Sequence, residues 1–176
     1  MTDYFPWGAA VICLTALWAA ATDLVYRKIS NKAVVTVLAV TLVGFLWITK
    51  PGFTWAGLWE AGAGSGLAGA LLVLFAGFGL NLIGKVGAGD VKMTAALMLW
   101  MGNDGLLFFI VMSLAGGAMV LGLPLLRYVE ETLSLAVYRW DGKKRLPACL
   151  TAPLTGLPYG PAIAVGVLTV TLTRLF

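Results

Sequence analysis

Histidine is absent from this 176-residue chain. Its absence removes Ser-His and Cys-His nucleophilic pairs and every histidine-based metal site. Cysteine is almost as scarce. Cys13 and Cys149 are the two present, too far apart in sequence to form the CxxC pair that holds zinc or runs disulfide exchange. They read as small apolar fillers, and neither a metal nor an organic cofactor is expected. Charge is also sparse, at 11% of residues against roughly 25% in a soluble domain. Hydrophobic residues make up 60%, and the mean hydropathy is +0.93. A soluble core is excluded by that balance. The formal net charge of +4 could suggest a nucleic-acid partner, but the basic residues cluster beside apolar runs, as topology signals do. The partners expected are lipid and protein, not nucleic acid.

Uncharged runs occupy 4–22, 33–49, 61–84, 105–126 and 146–173. A bilayer core needs roughly 20 apolar residues as helix, so the chain reads as an all-α polytopic membrane protein in a single domain, 1–176. The first run lacks a basic region before it and ends in Asp23, Arg27 and Lys28, so it is expected to be a retained segment and not a cleaved signal peptide. The second follows Lys32 and ends near Thr49. The third, roughly Gly62 to Ile83, is rich in small residues that let helices approach closely and is expected to be a packed central helix. The stretch between Lys92 and Asp104 is short, and a helix from Asp90 to Met101 would measure only about 18 Å. If it crosses with help from 84–89, there are six segments with the N-terminus outside. Ten of the twelve basic residues then face the cytoplasm. If it does not cross, the basic residues of 127–145 move outside. The positive-inside rule prefers six crossings. Val129, Leu133, Ala136, Val137 and Trp140 recur at helical spacing, which predicts an amphipathic helix near 127–141 on the cytoplasmic face. Trp7, Trp47, Trp55 and Trp100 lie near run ends and are expected to be interface anchors.

In the six-segment threading, one segment runs inward to end at Asp23 and another runs outward from Asp90, so both carboxylates lie at the cytoplasmic edge. Ionisable groups at such depth are costly and read as functional and paired. Two carboxylates sharing a low-dielectric site cannot easily both ionise, so one of the pair keeps a proton. One can then activate water as a base while the other polarises a peptide carbonyl as an acid. Which is which is left open, since a coupled pair titrates as a unit.

The residues around each aspartate carry a resemblance. Asp23-Leu24-Val25-Tyr26-Arg27-Lys28-Ile29-Ser30-Asn31, with Gly87-Ala88-Gly89-Asp90-Val91-Lys92, resembles the paired signature of type IV prepilin peptidases, the GxGD class of intramembrane aspartyl proteases. Pro158-Tyr159-Gly160-Pro161-Ala162 resembles a further motif of that family. The resemblance implies cleavage, at the cytoplasmic face of the inner membrane, of a short basic leader from prepilin-like proteins, after a glycine that precedes their apolar helix. It implies catalysis by Asp23 and Asp90, with Arg27, Asn31, Gly87, Gly89, Lys92, Pro158, Tyr159, Gly160 and Pro161 in support. Gly87 and Gly89 would permit close backbone approach or unusual dihedrals. Lys92 would steady an ionised aspartate or meet substrate, and Arg27 would hold the segment end or pair with a carboxylate. The family commonly has proline where this chain has Ser30, which is expected to loosen the turn there. Without a cysteine-rich insertion, the chain is similar to the short form that serves Flp/Tad pili or archaeal preflagellins, and no methylation is expected.

Simpler readings stand beside these. Asp90 after a glycine turn could be a helix N-cap. Asp23 could pair with Arg27 one turn away, although a carboxylate at a helix C-terminus opposes the macrodipole and calls for compensation. The glycines around Ser65 are read as helix packing, Lys143-Lys144-Arg145 as a stop signal, and Pro158 and Pro161 equally as shaping the last segment. Two rival functions use the same residues: a small proton-coupled carrier with the aspartates as a relay, and an inert assembly component of a secretion system.

Overall fold

A computed structural model describes residues 6–48, 63–84, 86–140 and 157–174. Every regular element among them is helical: α1 (Pro6–Tyr26), α2 (Asn31–Ile48), α3 (Ala63–Leu82), α4 (Ala88–Met101), a 3-10 turn (Gly102–Asp104), α5 (Gly105–Leu121), α6 (Leu123–Trp140) and α7 (Gly160–Thr173). Trp7–Tyr26, Ala63–Leu82 and Ala88–Leu121 are long and apolar enough to cross a membrane, and the last of these is broken by the 3-10 turn. Asn31–Leu46 and Gly160–Thr173 are apolar but shorter.

The breaks follow local chemistry. Pro6 opens α1, where a fixed φ and a missing N–H cost nothing. Ser30 Oγ accepts a hydrogen bond from the Lys32 N–H at 3.2 Å and caps α2. Ser30 therefore organises the turn it was expected to loosen. Gly102 has φ +57, a left-handed conformation that glycine adopts without penalty. The chain reverses there, so that Thr94 Oγ1 meets Met112 Sδ at 3.8 Å across the α4–α5 hairpin.

Packing relies on small residues, as expected where lipid is as apolar as leucine and close van der Waals contact replaces water exclusion. A Cβ on Gly66 would stand 3.1 Å from the Met98 and Leu99 carbonyl oxygens, and one on Gly77 would stand 2.7 Å from Val91 Cγ1. These glycines seat α3 against α4. Gly166 does the same for α7 against Phe108 and Met112 of α5. Among the described helices, α1 packs on α2 and α7, α4 on α2 and α3, and α5 on α7. Ser65 donates to Asn103 Oδ1 at 2.7 Å, so the segment around it packs helices.

The centre belongs to α4 and not to α3. Nine of the 14 residues of α4 are buried, whereas Leu72, Phe75, Phe78 and Leu82 of α3 are exposed. The expectation of a packed central third helix is thus corrected: its glycine stripe packs, and its large side chains face outward. A helix of 14 residues is about 21 Å long, and α4 has this length in the middle of the bundle, walled by neighbours. Trp100 is also corrected, being 1% exposed in the core, unlike Trp7 at 79%. Trp55 and Lys143-Lys144-Arg145 lie outside the described residues, as does Cys149. Cys13 is half-buried against the core. The amphipathic helix exists and begins earlier than expected, at Leu123. At the end of the bundle holding Arg174, its guanidinium binds Asp104 Oδ2 at 2.6 Å through Nε, and the Met101 carbonyl through Nη2 at 2.5 Å.

Candidate active site

Asp23 sits on the last turn of α1. The Arg27 N–H donates to the Asp23 carbonyl at 2.9 Å while Arg27 itself has φ +50. This is the αL helix ending, at the position glycine usually fills. A non-glycine residue there carries roughly 1–2 kcal/mol of strain. The Arg27 side chain faces the same cavity as the aspartate, a placement that a glycine could not supply.

The Asp23 side chain is buried, 6% exposed. Its Oδ2 accepts the Gly160 N–H at 2.8 Å, across 137 residues of sequence. Gly160 is the first residue of α7, so the carboxylate occupies the positive end of a second helix. That contact answers the unfavourable dipole of its own helix. The approach leaves no room for a side chain. A Cβ on Gly160 would lie 2.8 Å from Asp23 Cβ and 3.0 Å from Ala20 Cα. Pro161 follows in the first turn of α7, where its missing N–H is not needed.

Asp90 is held differently. It lies in the first turn of α4, three residues after the N-cap Gly87, and its carboxylate folds back onto the Gly87 backbone. It is therefore the reciprocal half of a capping box and not the N-cap itself. A Cβ on Gly87 would come within 2.7 Å of Asp90 Oδ2. Gly87 has φ −70, and among the described glycines positive φ occurs at Gly84 and Gly102. The freedom used at Gly87 and Gly89 is room for close approach and not an unusual dihedral. Gly89 presses on Ile29 in the α1–α2 connection, with a Cβ expected 3.2 Å from Ile29 Cβ. That contact ties the two aspartate-bearing segments together. Asn81 Nδ2 donates to the Val86 carbonyl at 2.7 Å and shapes the approach to α4.

Asp23, Arg27, Gly87, Asp90 and Tyr159 wall one cavity of about 720 Å³. The carboxylates are close enough to repel one another when both are ionised. The rest of the lining is mainly apolar, drawn from α3 and α5 and including Leu72, Leu80, Phe109 and Met112. Tyr159 crosses α5 at Gly116, whose Cβ would stand 2.6 Å from the phenol oxygen. The remaining expected residues are placed elsewhere. Lys92 is exposed on α4, Asn31 is exposed at the start of α2, Pro158 is buried and Pro161 half-buried, and none of the four walls the cavity. Sequence reasoning missed Thr94, Ser113, Leu157 and Gly116. Nothing local marks them, since they reach the site only through helix packing.

Among the described residues the cavity offers two carboxylates, the Arg27 guanidinium and a mainly apolar wall, a set able to exchange protons with a bound group beside an apolar surface. A family model, the type IV leader peptidase family, matches residues 10–122. The chain belongs to that family, and membership together with its apolar helices makes it a membrane-bound peptidase for prepilin-type substrates. No curated protein and no solved structure matches it. The matched region includes both aspartates but ends before α7, and so before the Gly160 that holds Asp23.

Proposed function

We propose that this member of the type IV leader peptidase family is a short-form intramembrane aspartyl endopeptidase. It removes the short basic leader of a type IV prepilin at the cytoplasmic face of the inner membrane. The observation that carries the reading is that Asp23 and Asp90, 67 positions apart, wall one cavity. In the proposed reaction one carboxylate takes a proton from water as the water oxygen attacks the scissile carbonyl. The protonated partner donates to the carbonyl oxygen. Collapse of the resulting gem-diol then breaks the C–N bond: the proton first taken from water passes to the leaving amine, and one diol hydroxyl returns its proton to the carboxylate that had donated, which restores the pair. Arg27 is proposed to steady the charge of the pair from the cavity wall. Gly87, Gly89 and Gly160 keep the backbone close, Tyr159 shapes the cavity, and Pro158 and Pro161 set the entry of α7. Roles for Asn31 and Lys92, both outside the cavity wall, are limited to the surface where substrate arrives.

The proposed topology is one domain of six crossings with the N-terminus outside and α6 on the cytoplasmic face. The support is the grouping of Arg27, Lys28, Lys32, Lys92 and Arg127 at one end of the threading. The scarcity of cysteine supports a peptidase without methyltransferase activity.

The test is co-expression of a candidate prepilin with the wild type and with Asp23→Asn and Asp90→Asn at matched levels. Leader cleavage is read as a mobility shift. Cleavage by the wild type and by neither variant supports the peptidase. Cleavage that survives both substitutions overturns the dyad. Loss of solute uptake with leader cleavage untouched would favour the carrier.

A further inference from the structure

The apolar part of the cavity is a cleft with a direction. At the end far from the aspartates, α3 and α5 are drawn together around one side chain. Cβ atoms on Gly69 and Gly105 would lie 3.5 Å and 2.9 Å from Met98 Sδ, and Ser65 is hydrogen-bonded to Asn103. Towards the aspartates the two helices form opposite walls. Leu72, Ala76 and Leu80 line it from α3, and Phe109, Ser113 and Val120 from α5. The floor is α4 with Asp90, Val91 and Thr94. The α3 residues repeat every four positions, so they form one stripe along the helix. Leu72 is 67% exposed and Val120 52%, so the cleft is open along its side and not only at its mouth. At its polar end stand Asp23, Asp90 and Arg27.

From this geometry we infer that the α3–α5 cleft is the docking surface for the apolar transmembrane helix of the substrate, which enters sideways from the bilayer. The inference rests on the leader peptidase reading, because that substrate has its scissile bond immediately before an apolar helix. With the bond held at the carboxylates, the helix has to leave the site along an apolar path parallel to the bundle. The cleft is continuous with the carboxylate site and offers such a path. Ala76 and Ser113 are the small residues midway along the two walls, where an incoming helix can approach closely. The polar end takes the leader, and the stripe takes the helix.

The test uses a prepilin that the wild-type chain cuts, together with a soluble peptide carrying the same leader and scissile bond but no apolar helix. Ala76→Trp places a bulky side chain in the cleft midway along its α3 wall. The expected result is at least a tenfold rise in KM for the full prepilin in vesicles, with peptide cleavage unchanged. Equal cleavage of the full prepilin by variant and wild type overturns the docking surface, and so does equal impairment with both substrates. Should Ala76→Trp fail to accumulate, a benzoylphenylalanine photo-crosslinker at Ser113 in an Asp90→Asn chain decides. Capture of the prepilin helix from Ser113 but not from Leu38, exposed on α2, supports the inference. Capture from Leu38 alone, or capture only of lipid or a second copy of the chain, overturns it. Failure of the wild type to cut any prepilin would instead strike the peptidase reading, a separate outcome.

Discussion

The two aspartates reach the same cavity by opposite routes. Asp90 is held locally, by a glycine three residues before it in its own helix start. Asp23 is held remotely, by the first N–H of a helix 137 residues away. The local arrangement is tolerant, because a crowded carboxylate can rotate. The remote one is rigid, because backbone meets backbone at Gly160 and Ala20. One half-site is built by secondary structure, whereas the other exists only once the bundle has closed.

The largest test of that contrast is removal of each charge in turn. Asp23→Asn and Asp90→Asn should each lower leader cleavage by at least about 10²-fold, the scale of a lost general acid or base. The amide at 23 still accepts from Gly160, so the fold should survive, and circular dichroism in detergent checks that. A variant that keeps full activity at either position would remove that aspartate from the dyad.

The glycines separate the two half-sites further. Gly160→Ala sets a new methyl against the backbone of α1, and overpacking of this kind costs about 1–3 kcal/mol. It should lower both thermal stability and cleavage. Gly87→Ala confronts only the movable Asp90 carboxylate, so the melting temperature should stay near wild type while kcat falls. Similar melting losses in both would erase the distinction between local and remote anchoring.

The pH profile probes the pair as a unit. Acid protonates the base and alkali ionises the acid, so cleavage should fall on both sides of an optimum. A rate flat from strongly acidic to strongly alkaline conditions would exclude two coupled carboxylates.

Smaller effects are expected where the aspartate segments touch. Gly89→Leu should depress cleavage several-fold by forcing α4 away from Ile29, whereas Gly89→Ala asks Ile29 to yield by only a few tenths of an ångström. Full activity of Gly89→Leu would show that this contact does not set the site. Smallest is the backbone at Arg27. Both Arg27→Gly and Arg27→Ala lose the guanidinium, but only glycine relieves φ +50. Arg27→Gly should therefore be the more stable of the two by about 1 kcal/mol. Equal stabilities would mean that the αL ending carries no strain.

The amino-acid sequence reveals these features unevenly. The GxGD segment marks Asp90 as a candidate because its local geometry is encoded within four residues, Gly87 to Asp90. The poor fit of Asp23 with its own helix dipole announced that a compensating partner existed but not that the partner was Gly160. Pro158 to Pro161 could be flagged by resemblance, yet what Gly160 does follows from a contact with α1 that no local pattern contains. Trp100 misled for the same reason, since a position near the end of an apolar run reads as interface until the neighbouring helices bury it. The small residues of α3 correctly promised close packing, but they could not say that one stripe would pack while the large side chains faced outward.

The helices and their ends are set locally, because apolar run length, Ser30, Pro6 and Gly102 act through nearest neighbours in the chain. By excluding histidine and paired cysteines, the sequence by itself also determines which chemistries remain. Helix packing alone makes short α4 the centre of the bundle, brings the first N–H of α7 to Asp23, and parts α3 from α5 to leave a cleft ending on both carboxylates. Those outcomes depend on which surfaces approach most closely, and close approach is settled between helices by glycines and side chains far apart in sequence.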